Sequence, residues 1–341
     1  MMREGSICVL PRLSGLGGPT SFQGRFMAGL QQRGLRAHHD PTDPTTRAVL
    51  VIAGTRHLEW LWQFRRRGVR IVQRLDGLNW VHRQRATGLR HYLRSEWGNW
   101  LLATIRRSFA DRVVYQSAFV RNWWQTRYGA VRSPAFVIHN GVDLNIFSPQ
   151  GPELPPTDRV RILLVEGRFG GGNDLGLWTA ARLTKLLRPQ LTQPLELMVA
   201  GEVPPALKSP VEQAAGQPIA WAGVLPRADI PALDRSAHIY FSAEINAPCP
   251  NSVIEALACG LPVLGFAIGA LPELVQGDAG RLVPYGGNAW KLDMPAVEDL
   301  SQAAQQVLAN LPHFRAAARE RAETDFCLDR MIDQYLDALL G

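Results

Sequence analysis

The sequence predicts an α/β chain with two Rossmann-like, doubly wound parallel-sheet domains in series. Three observations lead there. Short apolar runs alternate with segments of helical periodicity along the whole chain, the pattern of βαβ units. The proline-rich stretch 149–156 (PQGPELPP) interrupts that alternation once, and the alternation then restarts. Charge divides at the same place. Residues 1–150 hold 22 Arg and no Lys against 8 acids, a net +14, whereas residues 151–341 hold 15 basic and 22 acidic residues, a net −7. The expected division is therefore an N-terminal domain over 1–150, a C-terminal domain over 151–325, and a final helix over 326–341.

Taken in order, the first strand is Ile7–Leu10. A glycine-rich turn (14–19, SGLGGP) follows, then a helix with Phe22, Phe26, Met27 and Leu30 on one face, ending at Gly34. Pro19 suits a first helical turn. Strands follow at 48–53, 69–73, 112–116 and 135–139, with helices at 58–67, 83–109 and 119–128 between them. After the linker, strands fall at 161–165, 195–200, 219–221, 238–242 and 262–266, and helices at 175–187, 230–235, 252–258, 271–275 and 297–311. The stretch 314–340 reads as amphipathic helix.

With 341 residues, 46% of them hydrophobic and 20% charged, the chain has ample core and is not disordered. The longest uncharged run, 256–272, is broken by Gly260, Pro262, Gly265 and Gly269, so it reads as buried strand and loop. The opening residues lack a long apolar region and a small-residue cleavage site, so no signal peptide is expected. Cys8, Cys249, Cys259 and Cys327 form no C-x-x-C pair and read as reduced thiols of a cytoplasmic protein, without a zinc site. No short repeat is present, which excludes solenoids.

Two segments carry candidate chemistry. In the loop Gly15-Leu16-Gly17-Gly18-Pro19-Thr20, the place of the third glycine of a dinucleotide fingerprint is taken by Thr20, which argues against a dehydrogenase. The glycines and the helix start behind them still suit a phosphate, or else form a tight βα turn alone. In 244–273, Asn251 or Ser252 is placed to cap a helix with Glu255 in its first turn. A carboxylate there can accept two hydrogen bonds from a vicinal diol such as a ribose; equally, it is an acid favoured by the helix dipole. Gly269-Ala270-Leu271 opens a further helix whose N–H groups suit a pyrophosphate.

Three segments together resemble family 4 of the retaining glycosyltransferases, which have the GT-B fold. Val137 to Asp143 with Phe147 (VIHNGVD…F) is similar to the motif ending the family's N-terminal domain. Glu255 to Val263 (EALACGLPV) and Glu273-Leu274-Val275 with Gly280 to Pro284 are similar to its two C-terminal motifs. The resemblance implies two domains facing a cleft, with the C-terminal helix packing back toward the N-terminal domain. It implies a nucleoside-diphosphate sugar as donor, with Glu255 on the ribose hydroxyls, Arg168 on the diphosphate, backbone near Val224 and Leu225 at the base, and Gly17 and Gly18 on the phosphates. Asn251, Ser252, Gly269, Ala270 and Leu271 complete the donor set. Arg168 and Asp76 are the expected catalytic residues, with no metal and no cofactor. The reaction implied is transfer with retention to a polysaccharide, lipopolysaccharide or lipid-linked acceptor, in cell-envelope polysaccharide synthesis.

The chain departs from that family in three places. The family's first glutamate, eight positions before Glu255, is Ala247. The lysine expected after Arg168 is missing from 170–174 (GGGND). The His-Asp after the third strand is Leu75-Asp76, with Arg74 nearby to supply charge. Asp76 then either positions a sugar or only forms an Asp-Gly turn. The alternative reading is a GT-B protein that binds a nucleotide sugar and catalyses weakly or not at all; a sugar-nucleotide epimerase is a third.

The helices at 58–67 (LEWLWQFRRR) and 91–107 (HYLRSEWGNWLLATIRR) mix Trp, Leu and Arg. Two readings stand. The first is a peripheral contact with an anionic membrane on its cytoplasmic side. The second packs Trp60, Trp62, Trp97 and Trp100 on the sheet, with Arg facing water. Trp123 and Trp124 divide the same way. No zinc-finger or RNA-recognition signature supports a nucleic-acid partner.

Overall fold

A computed structural model describes residues 5–15, 17–170 and 174–341. Leu16 of the glycine loop and Gly171, Gly172 and Asn173 of the expected lysine segment lie outside the described residues. The chain divides into two compact units, 5–141 with 328–341, and 142–327.

The first unit runs β1 (Ser6–Leu10), α1 (Gly18–Gln32), β2 (Arg36–His38), β3 (Thr46–Ile52), α2 (Leu58–Arg66), β4 (Arg70–Leu75), α3 (Leu89–Ser108), β5 (Arg112–Tyr115), α4 (Ala118–Tyr128) and β6 (Ala135–Val137). All strands are parallel, in the order β2-β1-β3-β4-β5-β6. The period of two along a strand fills both faces. Ile7 and Val9 face a core with Phe22, Phe26 and Leu30 of α1, while Cys8 and Leu10 face Leu61 and Phe64 of α2 and Ile105 of α3.

The second unit runs β7 (Val160–Arg168), α5 (Leu175–Leu187), β8 (Leu195–Glu202), α6 (Pro205–Ala215), β9 (Ala220–Gly223), α7 (Ile230–Arg235), β10 (Ile239–Phe241), α8 (Asn251–Ala258), β11 (Val263–Phe266), α9 (Leu271–Leu274), β12 (Gly280–Val283), α10 (Glu298–Ala309) and α11 (Leu311–Asp325). Its parallel order is β12-β11-β10-β7-β8-β9. Ile162 and Leu164 pack toward α5 and α10, and Leu163 packs toward α8 and α11.

The stretch 314–340 is two helices rather than one, broken at Phe326 and Cys327. There the Val142 N–H donates to the Phe326 carbonyl at 2.8 Å, and Val142 bridges Cys327. That pairing also sets the boundary at Gly141, ahead of the proline-rich stretch. The last helix, α12 (Leu328–Leu340), returns to the first unit. Ile332, Tyr335 and Leu339 enter the α1 core, and Arg33 pairs with Asp329 and Asp333, each at 3.0 Å. Strands β2 and β12 and helix α6 were not expected; β2 is a three-residue edge and α6 carries Pro210 inside. Helix α3 starts six residues later than its apolar pattern suggests, behind one 3₁₀ turn at Val81–Arg83.

Candidate functional site

In open parallel sheets, ligands bind outside the carboxyl ends of the strands where the strand order reverses. In the second unit the reversal lies between β7 and β10. Arg168 ends β7, 74% exposed, with its Nε 3.8 Å from Glu202 Oε2. That is too long for a hydrogen bond, so the guanidinium remains available to an anion. Glu166 precedes it by two residues, and Glu244 follows β10. Burial, then repulsion from Glu244, pushes the Glu166 carboxyl up to about 8.

Glu255 lies in the second turn of α8, not the first, because the helix begins at Asn251 with Pro250 in the capping position. Neither Asn251 nor Ser252 caps it. Asn251 Oδ1 is buried without a partner, and the Ser252 hydroxyl bonds Tyr240. Arg227 Nη2 donates to Glu255 Oε1 at 3.4 Å. Val224 is exposed beyond the left-handed Gly223, on the same loop as Arg227, with Leu225 half-buried. Below α8, Asp234 is buried with Oδ2 unpartnered. Burial and the nearby Glu255 raise its carboxyl well above the usual range, against the opposing pull of Arg235 and a Cys259 hydrogen bond.

The pyrophosphate reading of 269–271 is corrected in part. Ala270 N–H donates to the Ala247 carbonyl at 2.9 Å, and Leu271 N–H to Ile268 at 3.3 Å. Only the Gly269 N–H of these three has no partner among the described residues. Helix α9 is a single turn. Gly269 is required: its φ is +61°, and a Cβ would lie 2.7 Å from the Ala247 nitrogen. That backbone contact closes over Ala247, which is fully buried.

In the first unit the reversal lies between β1 and β3, and the loop after β1 opens α1. Gly17 has φ +147°, which L side chains rarely adopt, and no side chain caps the helix. Its exposed start presents the amides of Gly17 and Gly18. Beside it, β4, β5 and β6 end in a closed polar network. Arg74 is buried, with its guanidinium carbon 3.9 Å from the centroid of the Phe22 ring. It donates to Asp76 Oδ1 at 2.8 Å and to Asn140 Oδ1 at 2.9 Å. Gln116 Nε2 also donates to Asp76 Oδ1, and Asn140 Nδ2 donates to Gln116 Oε1 at 3.1 Å. Trp124 holds the Asp76 carbonyl at 2.8 Å. Asp76 Oδ2 is left without a partner among the described residues. Burial raises the Asp76 carboxyl despite Arg74 and Gln116. Arg74 is thus not a cation facing a ligand, as the sequence suggested; it is locked beneath Asp76.

The expected residues therefore gather at two strand edges: Arg168, Val224, Leu225, Asn251, Ser252, Glu255, Gly269, Ala270 and Leu271 at the second, Gly17, Gly18 and Asp76 at the first. Sequence reasoning missed Arg227, Glu166 and Gln116. Arg227 is a lone arginine opening a short 3₁₀ turn, with no motif to mark it. Glu166 and Gln116 could have been found as polar residues ending strands next to residues already chosen.

Two family models match the chain: Glycosyl transferases group 1 over residues 161–310, and Glycosyltransferase Family 4 over residues 47–146. No curated protein matches. Among solved structures, a sucrose-phosphate synthase from Thermosynechococcus elongatus is 16% identical with a TM-score of 0.70, covering 98% of each chain. WaaG, a glycosyltransferase involved in lipopolysaccharide biosynthesis, is 15% identical at 0.70, covering 98% of this chain and 100% of its own. Anabaena HepE, solved with UDP and glucose, is 14% identical at 0.66, covering 98% and 99%. Fold and strand edges together define a GT-B glycosyltransferase. The chain carries a glycosyltransferase family 4 domain followed by a group 1 glycosyl transferase domain.

Proposed function

We propose that the protein transfers a sugar, with retention and without a metal, from a nucleoside-diphosphate donor to a polysaccharide, lipopolysaccharide or lipid-linked acceptor of the cell envelope. It works on the cytoplasmic side. The observation that carries the reading is the second strand edge, where an uncommitted Arg168 and a nearly buried Glu255 flank the reversal of strand order. Glu255 takes the ribose diol, and the Val224–Leu225 backbone takes the base. Arg168 neutralises the diphosphate. Arg227 is the added cation that offsets the missing lysine.

The C1–O bond to the diphosphate breaks through an oxocarbenium-like state as a C1–O bond to the acceptor forms, and the acceptor proton passes to the leaving phosphate. Asp76 Oδ2 accepts from a sugar hydroxyl. Glu166 and Glu244 supply the carboxylate that Ala247 lacks. The bound UDP in HepE makes UDP-sugars the first donors to try. The test is a thermal-shift screen of UDP, GDP, ADP and CDP with their sugars, followed by sugar release in Glu255→Ala and Arg168→Ala. A stabilising nucleotide whose sugar is released by the wild type and by neither variant supports the reading. Full turnover in both variants overturns the site. Binding with no release under any acceptor leaves a nucleotide-sugar-binding protein.

A further inference from the structure

The first half of α3 is built inside out. Ser95 and Asn99 face inward, where Asn99 Oδ1 accepts from the Asn79 N–H at 2.9 Å and Asn99 Nδ2 donates to the Asn79 carbonyl at 2.8 Å. Leu89, Leu93, Trp97 and Trp100 face solvent, 74, 58, 46 and 57% exposed. Their spacing of four, four and three residues makes one helical stripe. This overturns the reading that packs Trp62, Trp97 and Trp100 on the sheet. Of that group, Trp60 alone packs toward the core, and Trp124 is buried. The inward Asn99 bonds fix the helix rotation, so the stripe cannot turn inward without breaking them.

Arginines frame this face. Arg56 lies over the Trp97 ring at 5.6 Å, and Arg66 over the exposed Trp62 of α2 at 3.6 Å. Arg65 Nη1 donates to the Ser108 carbonyl at 2.6 Å, tying the C-terminal ends of α2 and α3. Arg90 and Arg94 are exposed beside the stripe. Exposed Trp and Leu ringed by Arg match an anionic lipid interface, where indoles sit at headgroup level and guanidinium groups meet phosphate. A second copy is a poor occupant, because it would set one basic face against another. Among the described residues no helix is long and apolar enough to cross a membrane.

We infer that the α3 stripe, with Trp62 and the surrounding arginines, docks the first unit peripherally on an anionic bilayer. The β4–β5 crossover carries both Asp76 and α3, and the Asn79–Asn99 bonds couple them. Docking therefore holds the Asp76 loop near the headgroups where a lipid-linked acceptor lies. The inference deepens the acceptor reading proposed above, but its test reads binding without turnover.

The full chain and W97A/W100A are sedimented with phosphatidylcholine vesicles, with and without about 30% phosphatidylglycerol, at low salt and at about 0.5 M salt. Melting curves confirm that both fold, and donor hydrolysis without vesicles is measured in parallel. Wild type is expected to bind only the anionic vesicles, with a blue-shifted tryptophan emission. The double variant should bind at least tenfold more weakly, with unchanged donor hydrolysis. Equal binding by both proteins, equal binding to neutral vesicles, or no binding overturns the inference. So does a concentration-dependent dimer abolished by W97A/W100A. Loss of hydrolysis in the wild type would instead count against the proposed activity and leave the docking result standing.

Discussion

The two strand edges handle charge in opposite ways. At the first, Arg74, Asp76, Gln116 and Asn140 close on one another, and among the described residues one Asp76 carboxylate oxygen and the buried Arg74 Nε are left without a partner. At the second, Arg168 stands in solvent, Arg227 approaches Glu255 at a long 3.4 Å, and two acids press together at Glu166 and Glu244. A closed network holds one group in a fixed place. An open one keeps unbalanced charge that a ligand of many charges can satisfy. The first edge thus suits positioning and the second suits holding a diphosphate.

The largest effect expected from breaking this contrast is Arg74→Met. It removes the cation from a buried pair and strands Asp76 and Asn140, so unfolding stability should fall by about 3–5 kcal/mol, read by denaturant titration. A loss below about 1 kcal/mol would mean that the network is not closed. Arg168→Ala should do the reverse. The melting temperature should hold while turnover falls by about 10²–10³, the effect of removing one donor to developing charge. A variant that unfolds would show Arg168 to be structural.

Much of this was legible beforehand, and the rest was not for identifiable reasons. Strong apolar periodicity located nearly every long element, and α5 and α7 fall at their expected residues. The edge strand β2 has three residues and little apolar signal, and α6 hides behind its proline. The motif residues Glu255, Gly269 and Asn140 were visible because their neighbours in sequence are also neighbours in the fold. Arg74 was misread because sequence shows a charge without its burial. The α3 stripe was ambiguous for a related reason: spacing reveals a face but not which way it points. Only the Asn79–Asn99 bonds settle that.

Glu166→Gln sharpens the contrast through pH. The folded carboxyl is raised from an ordinary 4.5 to about 8, so between those values the folded chain holds a proton that the unfolded chain has released. Stability therefore falls as pH rises through that window. Removing the group should raise the melting temperature at about pH 9 by about 2–4 °C and change nothing near pH 4. An equal gain at both pH values would trace the effect to packing, and the two acids would not be coupled.

The smallest effect expected is Asp234→Asn, and it asks whether the interior of the second unit is locked as Arg74 is. Asp234 is buried, its carboxyl is raised well above the ordinary range, and one oxygen has no partner. Arg235 beside it has partners of its own, the Glu153 carboxylate at 2.7 Å and the Ser148 carbonyl at 3.3 Å. A neutral Asp234 is close in shape and polarity to asparagine, so the variant should change stability by less than about 1 kcal/mol. It should also flatten whatever loss of stability Asp234 causes as pH rises. If Asp234 is instead the ionised counter-charge of Arg235, the same change strands a buried guanidinium and costs about 3–5 kcal/mol. That outcome would put a closed network beneath Glu255 and make the floor of the second edge resemble the first.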